Sequence, residues 1–171
     1  MKRFSIILVL ITISFKLLCC SSDKDTTENL LNPSVAATIL NVSYGAHPQQ
    51  VYDIYLPANR TTSTKTLILV HGGGWTAGNK SDMAGYIPYL QENNPDYAIV
   101  NINYRLASTS NPAFPMQIND IQTVITKLKT ENYTISNNFG FIGVSAGAHL
   151  SMLYSYAYDP SIKMVCSIVG P

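Results

Sequence analysis

Charged residues are scarce in this sequence. Lys, Arg, Asp and Glu together make 12% of 171 residues, and eleven bases against ten acids leave a net charge of +1. Proteins that hold nucleic acid concentrate Lys and Arg to neutralise phosphates, and no basic patch appears here, which argues against nucleic-acid binding. Cysteine is scarcer still. Cys19 and Cys20 are adjacent near the N-terminus, and only Cys166 stands in the body of the chain. That rules out an internal disulfide framework and a cysteine zinc cluster. The histidines and carboxylates show no ligand spacing, so neither a metal site nor a cofactor is expected. No internal repeat or low-complexity tract appears. The apolar run from Phe4 to Phe15 is too short to span a bilayer as a stable helix. What is present is a 46% hydrophobic chain, enough for one core of ordinary domain size.

Lys2 and Arg3 ahead of that apolar run read as an export signal. Leu17-Leu18-Cys19-Cys20, followed by Ser21-Ser22-Asp23, resembles the lipobox of bacterial lipoproteins. The resemblance implies lipidation of Cys20, with Cys19 in the small position before it. Lys16 departs from the pattern, and a plain secretory signal is the alternative. On either reading the protein is exported, and a lipid on Cys20 would anchor it to a membrane of the bacterial cell envelope. The expected organisation is a leader at 1–20, a flexible tether at 21–35 and a folded domain at 36–171. Four Asn-x-Ser/Thr triplets, at Asn41, Asn59, Asn79 and Asn132, read as accidental in a chain rich in these residues.

Beyond the tether, strand-like and helix-like segments alternate, the order expected of a mostly parallel sheet with flanking helices. Thr38 to Tyr44 and Gln50 to Leu56 read as a hairpin around Gly45, His47 and Pro48. Thr66 to Val70 and Tyr97 to Asn103 read as buried strands, with a helix from about Met83 to Glu92 between them. In Met116 to Lys129, Ile118, Ile121, Val124, Ile125 and Leu128 recur at helical spacing, so one face should pack on the sheet. Phe139 to Val144 is a strand, Ala146 to Tyr158 a helix, and Lys163 to Val169 a last apolar strand in which Cys166 reads as a small buried thiol.

The segment Gly143-Val144-Ser145-Ala146-Gly147 places G-x-S-x-G between an expected strand and an expected helix. A serine hydroxyl that attacks a carbonyl must stand clear of the backbone, so the strand has to turn sharply at the serine, and the flanking glycines give clearance. The same turn leaves the Ala146 N–H at a helix N-terminus, where unpaired donors stabilise a developing oxyanion. Alone, the pattern also describes a small-residue turn. A second motif, His71-Gly72-Gly73-Gly74-Trp75, follows the strand at 66–70. Three successive glycines are entropically costly, and they allow backbone N–H groups to face a ligand oxygen without obstruction.

The two motifs in this order, with Asn103-Tyr104-Arg105-Leu106 and Phe114-Pro115 between them, resemble the hormone-sensitive-lipase and carboxylesterase branch of the α/β-hydrolases. The resemblance implies an α/β-hydrolase fold and a serine ester hydrolase working through an acyl-enzyme on Ser145. It puts the N–H groups of Gly73, Gly74 and Ala146 in the oxyanion hole, and His71 and Gly72 in support of the loop. The implied substrate is a small acyl ester, such as an acetylated or feruloylated sugar. Trp75 and Tyr104 are candidates for an acyl pocket or for loop packing. His149 reads as packing or capping, His47 as exposed, and Asp120 and Arg105 as a structural cap or ion pair. Asp159 comes one strand too early for a triad acid.

Triads of this fold run in the order Ser, acid, His, and no histidine follows His149. The expectation is therefore a domain incomplete at its C-terminus, lacking the triad acid and base. The alternative is a catalytically inactive exported protein that binds ligands through the same pocket.

Overall fold

The computed structural model describes residues 31–171. The expected leader, Cys20 and most of the expected tether lie outside the described residues. Runs of β-branched and aromatic residues form β1 (Ala37–Ser43), β2 (Val51–Leu56), β3 (Thr66–Val70), β4 (Ala98–Ile102), β5 (Phe139–Val144) and β6 (Met164–Ile168). They make one sheet in the order β1-β2-β4-β3-β5-β6. β2 is antiparallel to both β1 and β4, and β3 to β6 run parallel. The hairpin and the mostly parallel sheet both match expectation.

Register divides the core into two layers. Ile54, Val100, Ile68 and Phe141 lie in one row across four strands and face α2 (Ala113–Thr130) and α3 (Ala146–Ala157). From α2 come Ile118, Ile121, Val124, Ile125 and Leu128, the set that the helical spacing marked for burial. Leu67, Leu69, Ile99 and Ile142 face the other way, toward Met83, Ile87 and Leu90.

Two expectations need correction. The helix expected from Met83 is two pieces, a 3-10 turn at Lys80–Met83 and α1 at Tyr86–Asn93. Asn79 caps the turn through a capping box with Asp82, so the turn closes on itself before α1 begins at Tyr86, with Gly85 as its N-cap. Cys166 is exposed rather than buried. It is the register partner of Ile142, on the face where α1 reaches β4 and, among the described residues, no helix covers β6. Hydropathy marked this strand as apolar but carried no information about the layer above it.

Candidate active site

Val70 and Gly143 are register partners on the adjacent parallel strands β3 and β5. From β3 the chain crosses toward β4, and from β5 it crosses the opposite way to β6. Such divergence opens a crevice beyond the carboxyl ends of the two strands, where ligands bind in open α/β sheets. His71 to Trp75 leave β3 there and Ser145 leaves β5 there, so topology alone brings the two motifs together.

Ser145 sits between β5 and α3 at φ 51°, ψ −117°, a conformation disfavoured for any residue with a Cβ. Its surroundings enforce it. The Ser145 N–H donates to the Ile168 carbonyl at 2.8 Å, and its own carbonyl accepts from the His149 N–H at 3.1 Å. A Cβ on Gly147 would lie 2.2 Å from the Val70 carbonyl oxygen, and one on Gly143 would lie 2.5 Å from that of Gly147. The glycines thus let α3 press against the ends of β3 and β5, which forces the sharp turn that carries the serine. Ala146 is the first residue of α3, and its N–H is one of the donors that helix geometry leaves unpaired.

The glycine loop lies against this turn, with a Cβ on Gly72 falling 3.2 Å from the Ser145 Cβ. His71 Nδ1 lies 2.7 Å from the Gly72 carbonyl oxygen and donates to it. The Gly73 carbonyl accepts from the N–H groups of Thr76 at 3.2 Å and Ala77 at 2.9 Å. A trans peptide points its N–H opposite to its C=O. Two successive carbonyls tied back into the loop therefore turn the Gly73 and Gly74 N–H groups outward. Among the described residues, neither of those N–H groups donates to a backbone carbonyl.

The histidines have separate duties. His71 is fully buried and stacks on Tyr104 with centroids 4.2 Å apart and planes at 7°. Burial holds its pKa below the usual histidine value, so the ring is neutral, partly offset by its bond to the Gly72 carbonyl. The His149 ring meets Trp75 edge-on at 5.5 Å, and His47 is exposed in the β1–β2 turn, accepting from the Gln49 N–H. Among the described residues none of these imidazoles hydrogen-bonds the Ser145 hydroxyl, and His71 Nε2 and His149 Nδ1 are buried without a hydrogen-bond partner.

Tyr104 resolves to packing: it is 1% exposed, its hydroxyl donates to the His71 carbonyl at 2.8 Å, and burial raises its pKa. Trp75 is half-buried between His149 and the loop, at φ +65°. Asp120 and Arg105 form the expected ion pair, at 2.6 Å, and Asp120 also accepts the Arg105 backbone N–H. Asp159 is far from the crevice. It precedes β6 near the Lys163 to Phe139 bond, at the amino ends of the strands, where a hydrogen bond from Ser161 holds its carboxyl below the ordinary range.

Several contributors escaped the sequence reading. A Cβ on Gly78 would strike the Gly72 carbonyl oxygen at 2.5 Å and His71 Nδ1 at 2.9 Å, so a fourth glycine in this stretch shapes the loop. Lys80 pairs with Asp53 at 2.6 Å, and its backbone is held by the side chains of Asn101 and Asn103. Gln117 bonds the Trp75 carbonyl from α2. Only Gly78 left a local signal, as a further glycine four residues beyond Gly74.

Kynurenine formamidase of Danio rerio is 25% identical over 145 residues, covering 80% of this chain and 47% of its own length. The chain thus spans about half the length of the curated relatives it matches first. A truncated carbohydrate esterase from gut microbiota superposes with a TM-score of 0.59 at 27% identity, over 72% of this chain and 45% of that one. Esterase B of Lactobacillus rhamnosis, inhibited by a tributyrin phosphonate, gives 0.56 at 25% identity over 79% and 47%. The fold is that of the α/β-hydrolase esterases. The BD-FAE family model matches residues 52–166, more than half of the sequence and inclusive of both motifs, and the chain therefore belongs to the BD-FAE family.

Proposed function

We propose that this protein is a serine ester hydrolase that acts through an acyl-enzyme on Ser145. The observation that carries the reading is the joint geometry of the two motifs: a serine on a strained strand-to-helix turn, faced by a loop whose Gly73 and Gly74 N–H groups are turned outward. In this mechanism the Ser145 Oγ attacks an ester carbonyl, and the alkoxide that develops is held by the N–H groups of Gly73, Gly74 and Ala146. Collapse expels the alcohol, and water then releases the acid. The reaction also needs a general base to take the Ser145 proton and return it to the leaving alcohol, and among the described residues no histidine hydrogen-bonds the Ser145 hydroxyl.

The substrate class we assign is a small acyl ester, such as an acetylated or feruloylated sugar. The resemblance to the hormone-sensitive-lipase branch and the likeness to a carbohydrate esterase support it. We also propose that the protein is exported and held at a membrane by a lipid on Cys20; failure of a fatty-acid analogue to label the wild type, or equal labelling of Cys20→Ala, overturns that placement. The function is tested with p-nitrophenyl acetate and the full-length protein. Turnover that vanishes in Ser145→Ala supports the reading, and full turnover in that variant refutes it. No turnover in either protein transfers the site to the binding alternative.

A further inference from the structure

Gln117 is wholly buried near the start of α2, where a carboxamide has to recover the hydrogen bonds it gave up in water. It recovers only half of them. Its Nε2 donates to the Trp75 carbonyl at 2.7 Å and to the Arg105 carbonyl at 2.9 Å, while Oε1, equally buried, has no partner among the described residues. An apolar side chain of the same size would avoid that orphaned acceptor, so fold stability alone is a poor reason for glutamine here. The two donors are its distinctive feature.

Both carbonyls lie at the crevice end of the sheet. Trp75 follows Gly74 directly and holds φ +65° without being glycine, a conformation that needs restraint from its neighbours. Its carbonyl takes one bond from Gln117 and a second from the Ala107 N–H at 2.9 Å. Asp120, on the same buried side of α2, fixes Arg105 through its backbone N–H and its guanidinium, and so steadies the segment that presents Ala107. The C-terminal side of the glycine loop is thereby clamped to α2.

We propose that Gln117 is a positioning residue that holds the Trp75 peptide, and through it the Gly73 and Gly74 N–H groups, in the orientation that ester hydrolysis requires. The inference rests on the ester-hydrolase reading above. Its test compares wild type with Gln117→Met, which keeps the volume and deletes the donors, and with Gln117→Glu, which donates one hydrogen bond only when protonated. Amide NMR of the full-length protein is read at Gly73 and Gly74, with β3 and β5 as internal controls, alongside kcat and KM for p-nitrophenyl acetate. In Gln117→Met the Gly73 and Gly74 signals should move, with those of β3 and β5 unchanged. kcat should fall tenfold or more while KM stays within twofold. In Gln117→Glu the two glycine signals should return toward their wild-type positions as pH falls, a rescue that simple space-filling does not give and that serves if the Met variant does not fold. Unmoved glycine amides, a rise in KM alone, or shifts of equal size across β3 and β5 overturns the proposal. A wild type without Ser145-dependent turnover refutes the function instead, and the amide comparison still decides what Gln117 positions.

Discussion

The Ser145 N–H donates to the Ile168 carbonyl at 2.8 Å, so the proposed nucleophile is tied by its backbone to β6 while its side chain is left uncommitted to that strand. Backbone tethering holds Ser145 at φ 51°, where a Cβ costs about 1–2 kcal/mol relative to glycine. Replacing Ser145 by Gly should therefore give a more stable protein than replacing it by Ala, by about 1 kcal/mol. Urea unfolding of the two variants measures the difference. Equal midpoints would show that the turn is not strained.

Two glycines in the site should respond very unequally to the same methyl group. At Gly147 an added Cβ meets the Val70 and His71 carbonyl oxygens at 2.2 and 2.4 Å, whereas at Gly74 it meets nothing within 4 Å. Gly147→Ala has to part α3 from β3 and should cost about 3 kcal/mol or more, or prevent folding. Gly74→Ala carries only its backbone cost at φ +57°, about 1 kcal/mol. Thermal unfolding ranks them, and a Gly147→Ala protein as stable as Gly74→Ala contradicts the packing described for this turn.

Acid should weaken the protein through His71. Burial holds its pKa below the ordinary 6.5, so between that value and the lower folded one the unfolded chain takes up a proton that the folded chain refuses. Stability is then present above 6.5 and falls as pH drops through this window. His71→Gln removes the titration and keeps an N–H donor for the Gly72 carbonyl. Its unfolding midpoint should change less than that of wild type from roughly pH 6.5 to 5, above the range of ordinary carboxylates. Parallel pH profiles for the two proteins would rule His71 out as the source.

The ion pairs should differ widely in worth. Asp120 is fully buried and accepts from Arg105 and Gln50, so Asp120→Ala strands several donors and should cost about 2–4 kcal/mol. Lys127 and Glu131 form an i,i+4 pair at the surface, and Glu131→Ala should change stability by no more than about 0.5 kcal/mol. Denaturant midpoints of both variants provide the check.

The elements that carry the site were legible because both central strands are bounded by abrupt chemical changes. β3 and β5 have the bounds read from sequence, each an apolar run ending at the motif that follows it. The motif residues carry part of their geometry locally, since the glycines permit the close approach that the turn at Ser145 needs. Support from a distance was not legible. Gln117 and Trp75 are 42 residues apart, and a side chain bonding a remote carbonyl leaves no periodic trace. Tyr104 shows the same limit: its residue type suits a pocket wall or a packed core equally, and only the stacking on His71 decides between them.

The tied-back carbonyls of Gly72 and Gly73 bear on how the loop answers a growing charge. Water around a nascent alkoxide has to swing its dipoles into line during the reaction, and that reorientation adds to the barrier. Amides held through their own carbonyls, in a loop clamped to α2 beyond Trp75, swing far less. For the proposed hydrolysis the response to charge is frozen in before any ester arrives, and stiffness of the 71–78 segment, more than the strength of any single contact, is the property that sequence change in this loop has to preserve.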